Sequence, residues 1–148
     1  MNTQTPMSIE VINESQFEID DKIFENVYEI ISQKENFTNE SSVCISLTNN
    51  EKIRELNKNY RGKNSITDVL SFTSNTDFIP FLGDIIINVD AAEKQKKNKS
   101  LTLELQRLFL HGLLHLLGND HISNEQRDKM QKKEEYYWNL LILNSMKK

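Results

Sequence analysis

Apolar positions along this chain switch between a period of two and a period near 3.6, and the switches mark out strands and helices. In Ser8–Asn13, Ile9 and Val11 share one face while Glu10 takes the other, which reads as a strand. From Asp20 to Gln33, the residues Ile23, Phe24, Val27, Ile30 and Ile31 form a helical stripe. Val43, Ile45 and Leu47 alternate with Cys44, Ser46 and Thr48 in a second strand. Thr48 and Glu51 then have capping-box spacing, so a short helix carrying Ile53 and Leu56 is expected to begin there. Tyr60 to Asp68 is polar around Gly62 and reads as a loop, followed by a third strand over Val69–Thr73. Three consecutive isoleucines, Ile85 to Ile87, predict a strand over Asp84–Asn88 that is buried on both faces. Asp90 to Lys99 reads as a short charged helix.

Leu101 to Leu117 is apolar on nearly every side, through Leu105, Leu108, Phe109, Leu110, Leu113, Leu114 and Leu116, so its helix belongs at the centre of the fold. Gly118 is suited to stop it in a left-handed turn. Ser123 and Gln126 repeat the capping-box spacing, and Met130, Tyr137, Leu140 and Leu141 give the helix they open an inward face. The expected architecture is α/β (α+β), a single domain over residues 1–148 with a small mixed sheet packed by helices around that central helix.

Composition narrows the class. Hydrophobic residues make up 37% and charged residues 27% of the 148 positions, ordinary values for a globular chain. No apolar run approaches the roughly 20 residues that span a bilayer. The polar start, Met1 to Ser8, lacks the pattern of a signal peptide, so a cytoplasmic location is expected. The one cysteine, Cys44, excludes an intrachain disulfide and suits a small buried position in its strand. A net charge of −4 and a pI near 5.4 weigh against an extended nucleic-acid surface. A local basic patch can still act within a Debye length of about 8 Å.

All three histidines of the chain fall within His111–His121. On a helix, His111 and His115 project from one face a turn apart, and the turn at Gly118 can bring His121 to a third position. Three neutral imidazoles bind zinc and leave its fourth position open, as catalytic rather than structural sites do. Such a site should lose affinity as pH falls through about 6.5, where free imidazole takes up a proton. His111, His115, Gly118 and His121 also match the metzincin spacing at every ligand position. The second position, however, is Gly112 where those peptidases carry their glutamate general base, and this argues against peptide hydrolysis.

The segment HGLLHLLGNDH resembles the signature of the YbeY family of bacterial endoribonucleases. Two upstream segments, LNKNYRGKNSITDVLSF (Leu56 to Phe72) and LGDIIIN (Leu82 to Asn88), are similar to that family in order and spacing. The departures are Ile66 and Thr73, where the family usually has proline, and Asn119, where it usually has tyrosine. The resemblance implies a cytoplasmic, zinc-dependent, single-strand-specific endoribonuclease acting in small-subunit rRNA 3′-end maturation and ribosome quality control. It implies His111, His115 and His121 as ligands of one Zn2+ ion, and Arg61 as the functional arginine. Its implied partners are rRNA of the small subunit, ribosomal proteins and an assembly GTPase, with no membrane and no DNA.

A guanidinium at Arg61 can grip a phosphate bidentately and offset charge in the transition state. Lys63 and Lys97 are further candidates for phosphate contact, within a basic set that includes Lys58, Lys94, Lys96 and Lys99. Asp120 is placed to orient a histidine ring, and Asp68 to cap a turn; neither identifies itself as the general base. Two other functions compete: a metal hydrolase acting on peptides or esters, and a non-catalytic assembly factor with a structural metal to which Cys44 could add a fourth ligand.

Overall fold

Strands β1 (Ser8–Asn13), β2 (Ser42–Thr48), β3 (Val69–Thr73) and β4 (Phe81–Asn88) form one sheet in the order β1-β2-β4-β3. β1, β2 and β4 are parallel, and β3 returns antiparallel along β4 to make the sheet mixed. The helices among the described residues are α1 (Ile23–Lys34), α2 (Asn50–Arg61), α3 (Val89–Gln95), α4 (Leu101–Leu116) and α5 (Asn124–Met146). This computed structural model describes residues 8–35, 41–74, 81–118 and 123–146. The fold class is the expected α/β one.

Period-two alternation divides the sheet into two unequal faces. Val43, Ile45 and Leu47 of β2, with Ile85 and Ile87 of β4, enter the main core against Phe24, Val27, Tyr28 and Ile31 of α1 and the apolar body of α4. On the reverse face, Leu70 and Ile86 pack under Ile53 of α2, flanked by Leu56 and Phe72. The isoleucine run of β4 is therefore buried on both sides, as its sequence predicts. Each fully buried Leu or Phe of α4 contributes roughly 1.5–3 kcal/mol, so packing rather than intrinsic propensity holds this helix. Ser100 caps it, its Oγ accepting the Leu103 N–H at 3.1 Å.

Several boundaries differ from the expected ones. The cap of α2 is Asn49, whose Oδ1 accepts the Lys52 N–H at 2.9 Å, while Thr48 is a buried member of β2. α2 also runs through Tyr60 and Arg61, so the expected loop over these two residues is helical. Gly62 ends it in the left-handed region (φ 70°), its N–H reaching the Lys58 carbonyl at 3.1 Å. α3 stops at Gln95, short of the expected Lys99, and β4 begins at Phe81, ahead of Asp84. The capping box before α5 forms in full: Gln126 donates its N–H to Ser123 Oγ at 3.1 Å, and Ser123 donates its own to Gln126 Oε1 at 3.2 Å.

Candidate metal and phosphate site

His111 and His115 lie four residues apart on α4, and their rings meet edge to face with centroids 4.7 Å apart. Their Nε2 atoms converge to 3.1 Å. Two ligands of one tetrahedral ion, each at about 2.0–2.1 Å, stand about 3.3 Å apart, so this pair fits a shared zinc ion with little adjustment. The other ring nitrogen of His111, Nδ1, is hydrogen-bonded to the carboxylate of Glu134 on α5. A carboxylate only accepts, so Nδ1 carries the proton and Nε2 is left with its lone pair. This is the tautomer a metal ligand needs.

Facing the histidines is a cleft of about 500 Å³ lined by Arg61, Thr67, Asp68, Val69, Ser71, Thr73, His111, His115 and Gly118. Arg61 reaches it from the last turn of α2 rather than from a loop. Two buried asparagines fix the stretch between Arg61 and β3. Asn57 donates through Nδ2 to the Ser65 carbonyl at 3.1 Å and to Ser65 Oγ at 3.2 Å. Asn88, fully buried, donates to the Thr67 carbonyl at 3.1 Å and to Asn50 Oδ1 at 2.8 Å, while its own backbone N–H reaches the Asp68 carbonyl at 2.8 Å. The Asp68 carboxylate accepts from Gln95 Nε2 at 3.3 Å. No capping bond by its side chain is seen among the described residues; its backbone carbonyl instead continues the β3–β4 pairing one position beyond Val69.

Gly112 explains why no glutamate follows His111. A Cβ at this position would stand 2.8 Å from Ile85 Cγ2 and 3.1 Å from Ser71 Oγ, so α4 lies directly on the sheet here. A longer side chain has no room, and the peptidase general base is absent for a steric reason. Ser71 Oγ also donates to the Gly112 carbonyl at 3.3 Å, tying β3 to the histidine helix.

Cys44 does not serve this centre. It alternates with the core residues Val43 and Ile45 and so faces the side of the sheet away from α4, between Glu10 of β1 and Asp84 of β4. Burial, with the neighbouring Asp84 and Glu10 carboxylates, pushes its thiol up to about 11, which keeps it protonated and a poor ligand.

Of the residues singled out from the sequence, the cleft unites Arg61, Asp68, His111 and His115. His121 and Asp120 lie outside the described residues. Lys63 follows the α2 cap as an exposed residue that does not line the cleft, and Lys97 lines a neighbouring cavity with Lys96 and Lys99. Sequence reading passed over Glu134, Asn57 and Asn88. A polar residue at the end of an apolar strand, as Asn88 is, could have drawn attention; Glu134 sits among many charged residues of α5 and carries no such mark.

Fold and cleft together define an α/β protein whose converging histidines and opposed arginine suit an anionic substrate. The family model described as Endoribonuclease YbeY matches residues 8–141. A Sulfurihydrogenibium relative named endoribonuclease YbeY is 40% identical over 137 residues, covering 88% of this chain and 90% of its own length. The Bacillus subtilis protein of the same name is 35% identical over 126 residues, covering 76% and 80%. Among solved structures, the solution structure of TM1509 from Thermotoga maritima superposes with a TM-score of 0.58 at 28% identity, covering 95% of both chains. The chain belongs to the endoribonuclease YbeY family. Among the described residues, no helix is long and apolar enough to cross a membrane.

Proposed function

We propose that this protein is a zinc-dependent, single-strand-specific endoribonuclease of the cytoplasm, acting in small-subunit rRNA 3′-end maturation and ribosome quality control. The observation that carries the reading is the convergence of His111 Nε2 and His115 Nε2 to 3.1 Å in a polar cleft shared with Arg61. Family membership supports RNA as the substrate.

In this reading His111, His115 and His121 hold the ion. When bound, zinc supplies Lewis acidity toward a phosphoryl oxygen and lowers the pKa of water. Arg61 grips the scissile phosphate through paired N–H groups and offsets its developing charge. Glu134 keeps the His111 ring turned with its lone pair into the cleft. Asp68 is a carboxylate within the same cleft, available to take a proton from the attacking oxygen. Lys63 and Lys97 would meet the chain beyond the cut. Partners consistent with the role are the small ribosomal subunit, its proteins and an assembly GTPase.

The test is metal content together with cleavage of single-stranded RNA, for wild type, His115→Ala and Arg61→Ala. The proposal expects one zinc and cleavage in the wild type, loss of both in His115→Ala, and retained zinc with poor cleavage in Arg61→Ala. Equal cleavage by all three preparations would assign the activity to a contaminant and leave a non-catalytic assembly factor as the reading.

A further inference from the structure

Arg107, His111 and His115 follow at intervals of four along α4 and share one face of it. Arg107 therefore stands one helical turn, about 6 Å along the axis, from the first histidine. That separation is comparable to the spacing between neighbouring phosphates of an RNA strand.

The guanidinium is held in place. Glu104, almost fully buried, accepts from Arg107 Nε at 3.1 Å and from Nη2 at 2.5 Å, and also from Gln95 Nε2 at 2.7 Å. Among the described residues, Arg107 Nη1 has no protein acceptor, and the side chain is 40% exposed. A surface arginine is ordinarily mobile; this one is oriented in advance, which reduces the ordering cost of gripping a ligand.

Next to it lies a cavity of about 610 Å³ lined by Gln95, Lys96, Lys97, Asn98, Lys99, Glu104 and Arg107. Of the four cationic side chains that line it, Arg107 is paired with Glu104 at 2.5 Å and Lys96 with Glu93 at 3.4 Å, while Lys97 and Lys99 add positive charge within a chain of net charge −4. Gln95 joins the cavity to the histidine cleft, since its Nε2 contacts both Glu104 and the Asp68 carboxylate. Lys97 adopts left-handed backbone (φ 56°), which glycine or asparagine takes more readily than lysine. A lysine kept there at a conformational cost is the kind of strain that collects at functional positions.

We propose that Arg107, with Lys97 and Lys99, forms a second phosphate-binding site that holds the RNA backbone next to the scissile phosphate and directs the strand from the histidine cleft along α4 toward the α3–α4 turn. The inference rests on the ribonuclease reading and adds to it a direction and a length for the bound strand.

The test measures binding of 2′-O-methyl single-stranded oligonucleotides of two, four and eight nucleotides, which carry RNA phosphates but resist cleavage, by fluorescence anisotropy over a salt series. Wild type is compared with Arg107→Gln and with Lys97→Gly/Lys99→Ala, each judged against its own dinucleotide affinity. The wild type should gain affinity with length. Both variants should lose about tenfold of the gain at eight nucleotides, with a salt slope shallower by roughly 0.7 for each cation removed. Lys97→Gly, made alone, should raise or keep the melting temperature while weakening the octanucleotide, a pairing that a purely structural lysine would not give. It also guards against the case in which Arg107→Gln misfolds by stranding Glu104. Wild-type affinity and slope in both variants would overturn the second site alone. Failure of the wild type to bind any oligonucleotide would overturn it together with the ribonuclease reading.

Discussion

The carboxylate of Glu134 on α5 is bonded to Nδ1 of His111 on α4, a residue 23 positions earlier in the chain. A helix that contributes no candidate ligand thus sets the tautomer of a ring that does. Removing the carboxylate frees the imidazole to carry its proton on Nε2, where it would block metal binding.

Glu134→Ala should accordingly weaken zinc affinity by about 10–100-fold in a chelator competition assay. Nitrogen NMR of the metal-free protein gives a second reading: His111 should lose its Nδ1–H preference in the variant. A variant with wild-type zinc affinity and wild-type ring nitrogens would show that Glu134 only packs.

At Gly112 the sheet itself forbids a side chain. Gly112→Ala should gain about 1 kcal/mol of helix propensity, but the overpacking against Ile85 costs typically 1–3 kcal/mol. We expect a net loss in denaturant unfolding. Gly112→Glu, which would restore the peptidase sequence, should fail to fold. Peptide hydrolysis by a folded Gly112→Glu protein would contradict this steric account.

Asn88 joins three segments by its side chain: it also accepts the Ala91 N–H at 3.3 Å as the cap of α3. Asn88→Ala should cost about 1–3 kcal/mol, combining a lost cap with the loss of the hydrogen bond to the half-buried carbonyl of Thr67. Because the same bonds position Asp68, RNA cleavage should fall further than the loss of folded protein explains. Activity that simply tracks the folded fraction would confine Asn88 to stability.

Most of this framework was legible in the residues. Period-two runs located β1 and β2, the isoleucine run located β4, and the apolar wrap of Leu101–Leu116 identified the central helix, because burial leaves a direct mark on composition. The boundary of α2 was harder: Thr48 and Asn49 both suit a cap, and only the demand of β2 for a buried Thr48 decides between them. Arg61 looked like a loop residue because polar helix ends and polar loops have the same composition. The histidine pair was visible from spacing alone. Its orienting carboxylate was not, since which face of α5 meets α4 depends on tertiary anchors such as Tyr137, whose hydroxyl donates to Glu35 Oε2 at 2.5 Å.

That anchor sets a pH dependence. Burial tends to raise the Glu35 carboxyl, but hydrogen bonds from Lys133 and Tyr137 and the Lys133 charge outweigh it and hold the group below the ordinary glutamate range. The folded state therefore favours the ionised form. The stabilisation is complete above the unfolded value of about 4.3 and is lost as pH falls through the lower folded value. Urea unfolding between pH 6 and pH 3 should show this loss, and Glu35→Gln should be less stable than wild type at pH 6 and converge with it at pH 3. Parallel curves would rule out Glu35 as the titrating group.

The order of these parts along the chain has a bearing on synthesis. A chain emerging from its N-terminus completes the sheet and the His111–His115 pair before the carboxylate that orients His111 exists. On the proposed function, a nascent or prematurely ended chain lacking α5 carries an unoriented His111 and binds zinc poorly. An enzyme that cuts RNA would then remain harmless to the ribosome making it until its closing helix has docked.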